Sequence, residues 1–307
     1  MLRTALLAWA VAIANVAIAQ PTGGIESNFD SKNADGTRIQ LRGVMYKPTG
    51  TSRGAVVLVH GSEGWSDSRE GHYGRAFSAK GYTVLAIDSF GPRGIGSTVE
   101  DQSRVSSFQM TMDAFHARRH LVSLGLDANR MAIMGFSKGG QVALMAADST
   151  FLPSEVERFT LAIPFYPGCG IRPLSPKPTS TMFMVLGEKD DWTGVKPCQE
   201  LANDYVRAGG QAQVKVYPGA PHEFDGDPNN LRAIRLSTAE NYIDCIVEIS
   251  PEGHMVYAGK KYLQGDVSIL SDLRKSCMKR GATVWTNPTQ KQRATEDVLA
   301  FLNASFP

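Results

Sequence analysis

Met131-Ala-Ile-Met-Gly-Phe-Ser-Lys-Gly-Gly-Gln-Val-Ala-Leu-Met-Ala-Ala147 is the stretch on which the reading of the whole chain turns. Met131 to Met134 is a short apolar run of the kind that forms a strand buried inside a sheet. Gly135-Phe136-Ser137-Lys138-Gly139 follows, and the small residues after it predict a helix. A Gly-x-Ser-x-Gly pentapeptide between strand and helix makes a turn so tight that the serine backbone is strained. Its glycines stand where a Cβ would strike the neighbouring strand or helix. Such a turn lifts the Ser137 hydroxyl clear of the sheet, at the positive end of the following helix. The plain alternative is a glycine-rich turn with an incidental serine, because five-residue patterns recur by chance. The rest of the chain has to separate the two.

Outward from this turn, strands and helices alternate. On the N-terminal side, Ile25–Ser31 and Arg38–Lys47 read as strands joined by the turn Asn33-Ala34-Asp35-Gly36. Ala55–Val59 is a continuous apolar run, as in a parallel strand covered on both faces. A helix over Glu70–Lys80 stops at Gly81, Thr83–Ile87 is the next strand, and a long amphipathic helix runs from about Ser106 to Leu124. On the C-terminal side, Thr160–Pro164, Thr181–Leu186 and Gln213–Tyr217 read as strands. Pro197–Ala208 reads as a helix, and Thr295–Leu302 belongs to a closing one. This pattern predicts an α/β fold, a mostly parallel, doubly wound sheet with helices on both faces. Ligands of such sheets bind at the carboxyl ends of the strands.

Composition narrows the class of protein. A chain of 307 residues with 42% hydrophobic content is ordinary for one α/β domain. Its 32 basic and 30 acidic residues leave a formal charge of +2 with no basic block, so nothing suggests a nucleic-acid surface. Residues 1–19 differ: Met1-Leu2-Arg3, an apolar run from Ala5 to Ile18, and a terminal Ala17-Ile18-Ala19 have the make-up of a signal peptide. Cleavage before Gln20 is expected, leaving residues 20–307 as an exported, periplasmic or secreted, single domain with no membrane attachment. The alternative, an N-terminal anchor, is disfavoured because the run is short for a span. Four cysteines, Cys169, Cys198, Cys245 and Cys277, agree with an oxidising compartment and two disulfides, for which sequence alone permits three connectivities.

A serine nucleophile needs a base, and the base needs an orienting acid. Of the six histidines, His222 follows the strand Gln213–Tyr217 and the turn Pro218-Gly219-Ala220-Pro221, which makes it the natural base. His60 ends a strand inside a His-Gly loop and is expected to shape backbone. His116 and His120 lie four apart with Asp113 one turn earlier, a spacing that could hold a metal. Arg118 and Arg119 beside them favour a solvated basic face instead, and no C-x-x-C spacing occurs, so no metal is expected. His72 has no recognisable partner, and His254 lies in a polar late segment. The acid comes from Leu186-Gly187-Glu188-Lys189-Asp190-Asp191-Trp192, where Asp190 and Asp191 are both candidates and only one can serve. The order Ser137, Asp190, His222 is that of α/β hydrolases.

With these residues in hand the chain resembles a secreted member of the dienelactone hydrolase family with a serine nucleophile. The matching stretches are His60-Gly61-Ser62-Glu63-Gly64, Asp88-Ser89-Phe90-Gly91-Pro92-Arg93-Gly94, the Gly135–Gly139 turn, Phe165-Tyr166-Pro167-Gly168-Cys169, Gly187-Glu188-Lys189-Asp190 and Pro221-His222-Glu223-Phe224-Asp225. The resemblance implies an α/β-hydrolase fold, a Ser137–His222–Asp190 triad, and an oxyanion hole from the backbone N–H groups of Ser62 and Lys138. It implies cleavage of an ester or lactone of a small molecule through an acyl-enzyme, with no metal or organic cofactor. Arg93 and Trp65 are the candidate substrate-binding residues, Arg93 by analogy with an arginine that holds a lactone carboxylate in the family's namesakes. Its alternative is a structural role, bonding nearby carbonyls.

The chain departs from the namesakes in several places. The namesakes use cysteine where this chain has Ser137, and a glutamate where it has Gly61. An insert, Gly226–Gly281, separates His222 from the closing helix, and it is expected to pack near the His222 loop. Cys169 is expected to pair with Cys198, and Cys245 with Cys277 inside the insert. The second arginine of the namesakes is missing, since Glu223-Phe224-Asp225-Gly226 offers two acids, so neutral substrates are expected to outrun anionic ones. Two other readings share the scaffold: a prolyl-oligopeptidase-type peptidase, for whose propeller the chain leaves no room, and a non-catalytic binding protein.

Overall fold

The computed structural model describes residues 23–152 and 157–307, so the expected signal peptide lies outside the described residues. The main sheet has nine strands. Its antiparallel edge is β1 (Ile25–Glu26), β2 (Phe29–Lys32) and β3 (Arg38–Tyr46), with both short strands paired to β3. The single strand expected over Ile25–Ser31 is broken because Ser27 crosses close to Gly43. Ser27 N–H donates to Gly43 O at 2.9 Å, and a Cβ on Gly43 would lie 2.4 Å from Ser27 O.

The parallel part begins with β4 (Ala55–Val59), β5 (Thr83–Asp88), β6 (Met131–Phe136) and β7 (Leu161–Phe165). After β7 the chain leaves the sheet for the short β8 (Ile171–Pro173) and returns with β9 (Thr181–Gly187) and β10 (Gln211–Tyr217). The spatial order β1-β3-β5-β4-β6-β7-β9-β10 makes β4 and β6 central neighbours. Every residue of β4, β5, β6 and β7 is buried. This explains why those strands are continuous apolar runs, whereas edge strand β10 alternates exposed and half-buried residues. Between the strands run α1 (His72–Ser78), α2 (Ser107–Ser123), α3 (Lys138–Ala146) and α4 (Val195–Arg207).

The insert has its own architecture. β11 (Ile234–Asn241) pairs antiparallel with β15 (Lys279–Val284), and β12 (Val247–Ile249), β13 (Met255–Tyr257) and β14 (Lys260–Tyr262) form a small sheet with β8. Helix α5 (Ile269–Ser276) lies between β14 and β15. Disulfides join Cys245 to Cys277 within this unit and Cys169 to Cys198 beneath it. The closing helix α6 (Pro288–Ser305) contains the expected Thr295–Leu302 stretch. The Asn287 side chain accepts from Gln290 N–H and Pro288 occupies the first turn, a strong start signal.

Two apolar layers sandwich the sheet. Tyr73 and Phe77 of α1 and Val298 and Leu302 of α6 pack on one face. Phe115 of α2, Val142 of α3 and Tyr205 of α4 pack on the other, in a cluster that continues into the insert through Val247, Ile249, Ile269 and Leu273. Helix α2 carries the expected solvated basic face only in part, since Arg119 is exposed and Arg118 is not. Arg118 is buried and donates to Arg158 O and Ala128 O, both at 2.9 Å. His116 Nδ1 and His120 Nε2 sit 2.8 and 2.9 Å from the hydroxyls of Ser31 and Ser27. The residues that looked like a metal spacing are what dock α2 on the antiparallel edge.

Candidate active site

Ser137 joins β6 to α3 with φ 52° and ψ −111°, a conformation that costs a non-glycine residue about 1–3 kcal/mol. The glycines on either side make it possible. A Cβ on Gly135 would lie 2.0 Å from Gly139 O, and one on Gly139 would lie 2.1 Å from Val59 O. The turn is held further by Ser137 N–H donating to Phe165 O at 2.9 Å.

His222 leaves β10 and Asp190 leaves β9, so both reach Ser137 from strands on the same side of β6. Ser137 Oγ lies 2.8 Å from His222 Nε2, and His222 Nδ1 lies 2.8 Å from Asp190 Oδ2. The remaining lone pairs of Asp190 are filled by Trp192 N–H, Thr193 N–H and the Thr193 hydroxyl at 2.7–2.9 Å. Asp191 points elsewhere: its carboxylate takes Thr283 N–H and hydroxyl at 2.8 Å, on β15. A bridge between His222 and Val284 brings the end of β15, three residues beyond the Gly226–Gly281 insert, against the His222 loop.

The electrostatics suit a base. Burial works against a charged His222, but the charge and hydrogen bond of Asp190, aided by Glu223 and Glu63, outweigh it and raise the imidazole above its ordinary range. Burial likewise opposes ionised Asp190, yet His222 and the Thr193 donors hold its carboxyl below the usual value. The rings of Tyr166 and Trp192 flank the imidazole with centroids 4.7 and 4.8 Å away. Glu63, exposed at the rim, is raised to about 7 by the neighbouring Glu223 carboxylate and by partial desolvation. Glu223 is buried and pairs with buried Arg69 at 2.8 Å, and Asp225 accepts from Tyr73 at 2.8 Å and Tyr166 at 2.5 Å.

The loop after β4 packs on the turn, with the Cβ position of Gly61 3.4 Å from Ser137 Cβ. Ser62 and Lys138 both line a cavity of about 200 Å³ that opens on Ser137 and runs beneath the insert. The Lys138 ammonium turns away toward Gln102 O and Thr98 Oγ1, and burial brings its pKa down to about 7.

Arg93 and Trp65 do not line this cavity. Arg93 is held by the buried Asp113 carboxylate at 2.7 Å and by Ser89 O at 2.7 Å, so its guanidinium is already paired on the α2 side. Trp65 is half-buried under the Arg42 guanidinium, 4.9 Å from its ring centre. His60 shapes backbone: it bonds Gly61 O through Nδ1 and accepts Ser89 N–H at Nε2. The sequence reading missed Thr193, Trp192 and the whole roof of the cavity. Tyr166 lay within a quoted motif, but nothing marked Thr193, a common residue whose role depends on the fold of its loop.

The sequence profile of the dienelactone hydrolase family matches residues 41–243. No curated protein matches the chain by sequence. Among solved structures, esterase 2 of Thermogutta terrifontis phosphoramylated by tabun superposes with a TM-score of 0.54 at 19% identity, over 68% of this chain and 88% of that one. Its propionate-bound form gives 0.52 at 19% identity, over 67% and 86%. Its butyrate-bound form gives 0.53 at 19% identity, over 68% and 88%. At such identity the likeness is one of architecture: the fold is the α/β-hydrolase fold.

Proposed function

The chain belongs to the dienelactone hydrolase family and is a carboxylic ester hydrolase, and from this premise we propose that it is an exported serine enzyme working through Ser137, His222 and Asp190. The observation that carries the reading is the unbroken hydrogen-bonded relay Ser137 Oγ–His222 Nε2 and His222 Nδ1–Asp190 Oδ2, both 2.8 Å, ending on a strained serine. Neutral His222 takes the Ser137 proton as Oγ attacks the ester carbonyl, and Asp190 fixes the tautomer and stabilises the imidazolium. The Lys138 N–H, in the first turn of α3, has no intrahelical partner and is free to bind the oxyanion with that of Ser62. His222 then protonates the departing alcohol, and water cleaves the acyl-enzyme with His222 again as base. Residues 20–307 act as one domain, with the insert as a cap. Two disulfides and the make-up of residues 1–19 support export, and among the described residues no helix is long and apolar enough to cross a membrane.

A fluorophosphonate will label the protein at Ser137, and Ser137→Ala and His222→Ala will each abolish ester hydrolysis, because members of such a relay act as a unit. Labelling that persists in Ser137→Ala sinks the assignment. N-terminal sequencing of exported protein is expected to begin at Gln20.

A further inference from the structure

The cavity at Ser137 is partly open to solvent and walled on two sides. Met145 and Phe151 line it from the sheet side, while Ile249, Met255, Ile269 and Leu273 of the insert line it from above. Its charged wall residues are already engaged. Lys138 is bonded to Thr98 and Gln102, and Asp266 caps Ser268 N–H at 2.9 Å. Glu240 takes Arg274, Gln102 N–H and the Tyr242 hydroxyl at 2.6–2.9 Å. What remains is an apolar chamber of about 200 Å³. A single water fits in about 10–15 Å³ on this scale, so the chamber holds far more than an acetyl group.

Its position relative to the relay tells which half of an ester it receives. Ser137, Ser62 and the first turn of α3 form its wall; His222, fully buried, does not, although Trp192 and Thr193 beside it do. The departing alcohol must lie within reach of His222 Nε2, whereas the acyl group stays bonded to Ser137 Oγ. The group that runs into the chamber is therefore the acyl chain.

We propose that the insert builds an acyl-binding subsite, and that the substrates are esters of medium-chain or comparably bulky apolar acids without a carboxylate on the acyl part. This rests on the serine-hydrolase reading given above. Burying each added methylene in the chamber raises kcat/KM about fourfold while the chain still fits, the equivalent of about 0.8 kcal/mol.

The test uses p-nitrophenyl esters from acetate to dodecanoate, with one leaving group throughout, and in parallel acetate esters of lengthening alcohols. A rise in kcat/KM from acetate to an optimum between hexanoate and decanoate, with no comparable rise in the alcohol series, is expected. Leu270→Trp, which puts an indole into the chamber from α5, will move the optimum to shorter acids and cut the octanoate-to-acetate ratio at least tenfold. Fluorophosphonate labelling of that variant shows that it has folded. An acyl series that is flat or falls from acetate, in a protein that still labels at Ser137, overturns the subsite and leaves the enzyme reading intact. A rise confined to the alcohol series overturns it equally. Failure of every ester together with failure to label would instead overturn the enzyme reading itself.

Discussion

The carboxylates of Asp190 and Asp191 leave one loop in different directions, the first to His222 and the second to Thr283 of β15. Asp190→Asn is therefore expected to lower kcat by about 10⁴, through loss of the correct imidazole tautomer. Asp191→Asn is expected to cost little in kcat and to show up as weaker thermal stability. Arg93→Ala strips the partner from buried Asp113, and losing one member of a buried pair costs about 3–5 kcal/mol. Urea denaturation will register that loss, while the ratio of kcat/KM for matched neutral and carboxylate-bearing esters stays put. The base also sets a pH dependence. On the proposed mechanism activity needs neutral His222, so it is expected to rise as pH passes upward through a raised imidazole pKa. Glu63, raised to about 7, raises His222 further as it ionises, which flattens the limb. Glu63→Gln will shift the limb to lower pH and steepen it to a single ionisation; a profile identical to that of the parent refutes the coupling. The relay was legible because Ser137, Asp190 and His222 each follow a recognisable strand. Thr193 and Glu63 were not, because their roles arise from contacts across loops that no spacing announces.

At the scale of elements, the turn at Ser137 tolerates no side chain at its flanks. Gly135→Ala, with its Cβ 2.0 Å from a backbone oxygen, will cost about 3 kcal/mol or more. Gly96→Ala, with nothing within 4 Å, serves as the control and is expected to be neutral. Equal stability of the two variants would remove the steric account of the turn. The buried parallel strands could be read directly, since β4, β5, β6 and β7 hide every residue and so are apolar throughout. β11 could not: Ile234-Arg235-Leu236-Ser237-Thr238 lies largely exposed, and only Ala239, Glu240 and Asn241 are buried, two of them polar. Its order comes from pairing with β15, some forty residues away, and from side chains such as Asn241, which donates to Asp191 O and Gly281 O.

Across the whole molecule, the insert and the sheet share one apolar layer, so the roof of the cavity is part of the core. The Cys245–Cys277 bond spans 32 positions, and replacing both cysteines with serine is expected to cost about 2–4 kcal/mol. Limited proteolysis will then cut first within residues 242–278, before the sheet is attacked. Cleavage beginning in α1 or α2 would contradict that order. The continuity of the insert with the base has a practical side for anyone exchanging roofs between related hydrolases. A transplant bounded at Gly226 and Gly281 would sever β15, leaving behind Thr283, which Asp191 grips, and Val284, which abuts His222. The portable unit is the segment up to Asn287, whose N–H is anchored on Phe224 O at 2.8 Å. A chimera cut at that seam keeps His222 in register, whereas one cut six residues earlier fits a new roof onto a displaced histidine.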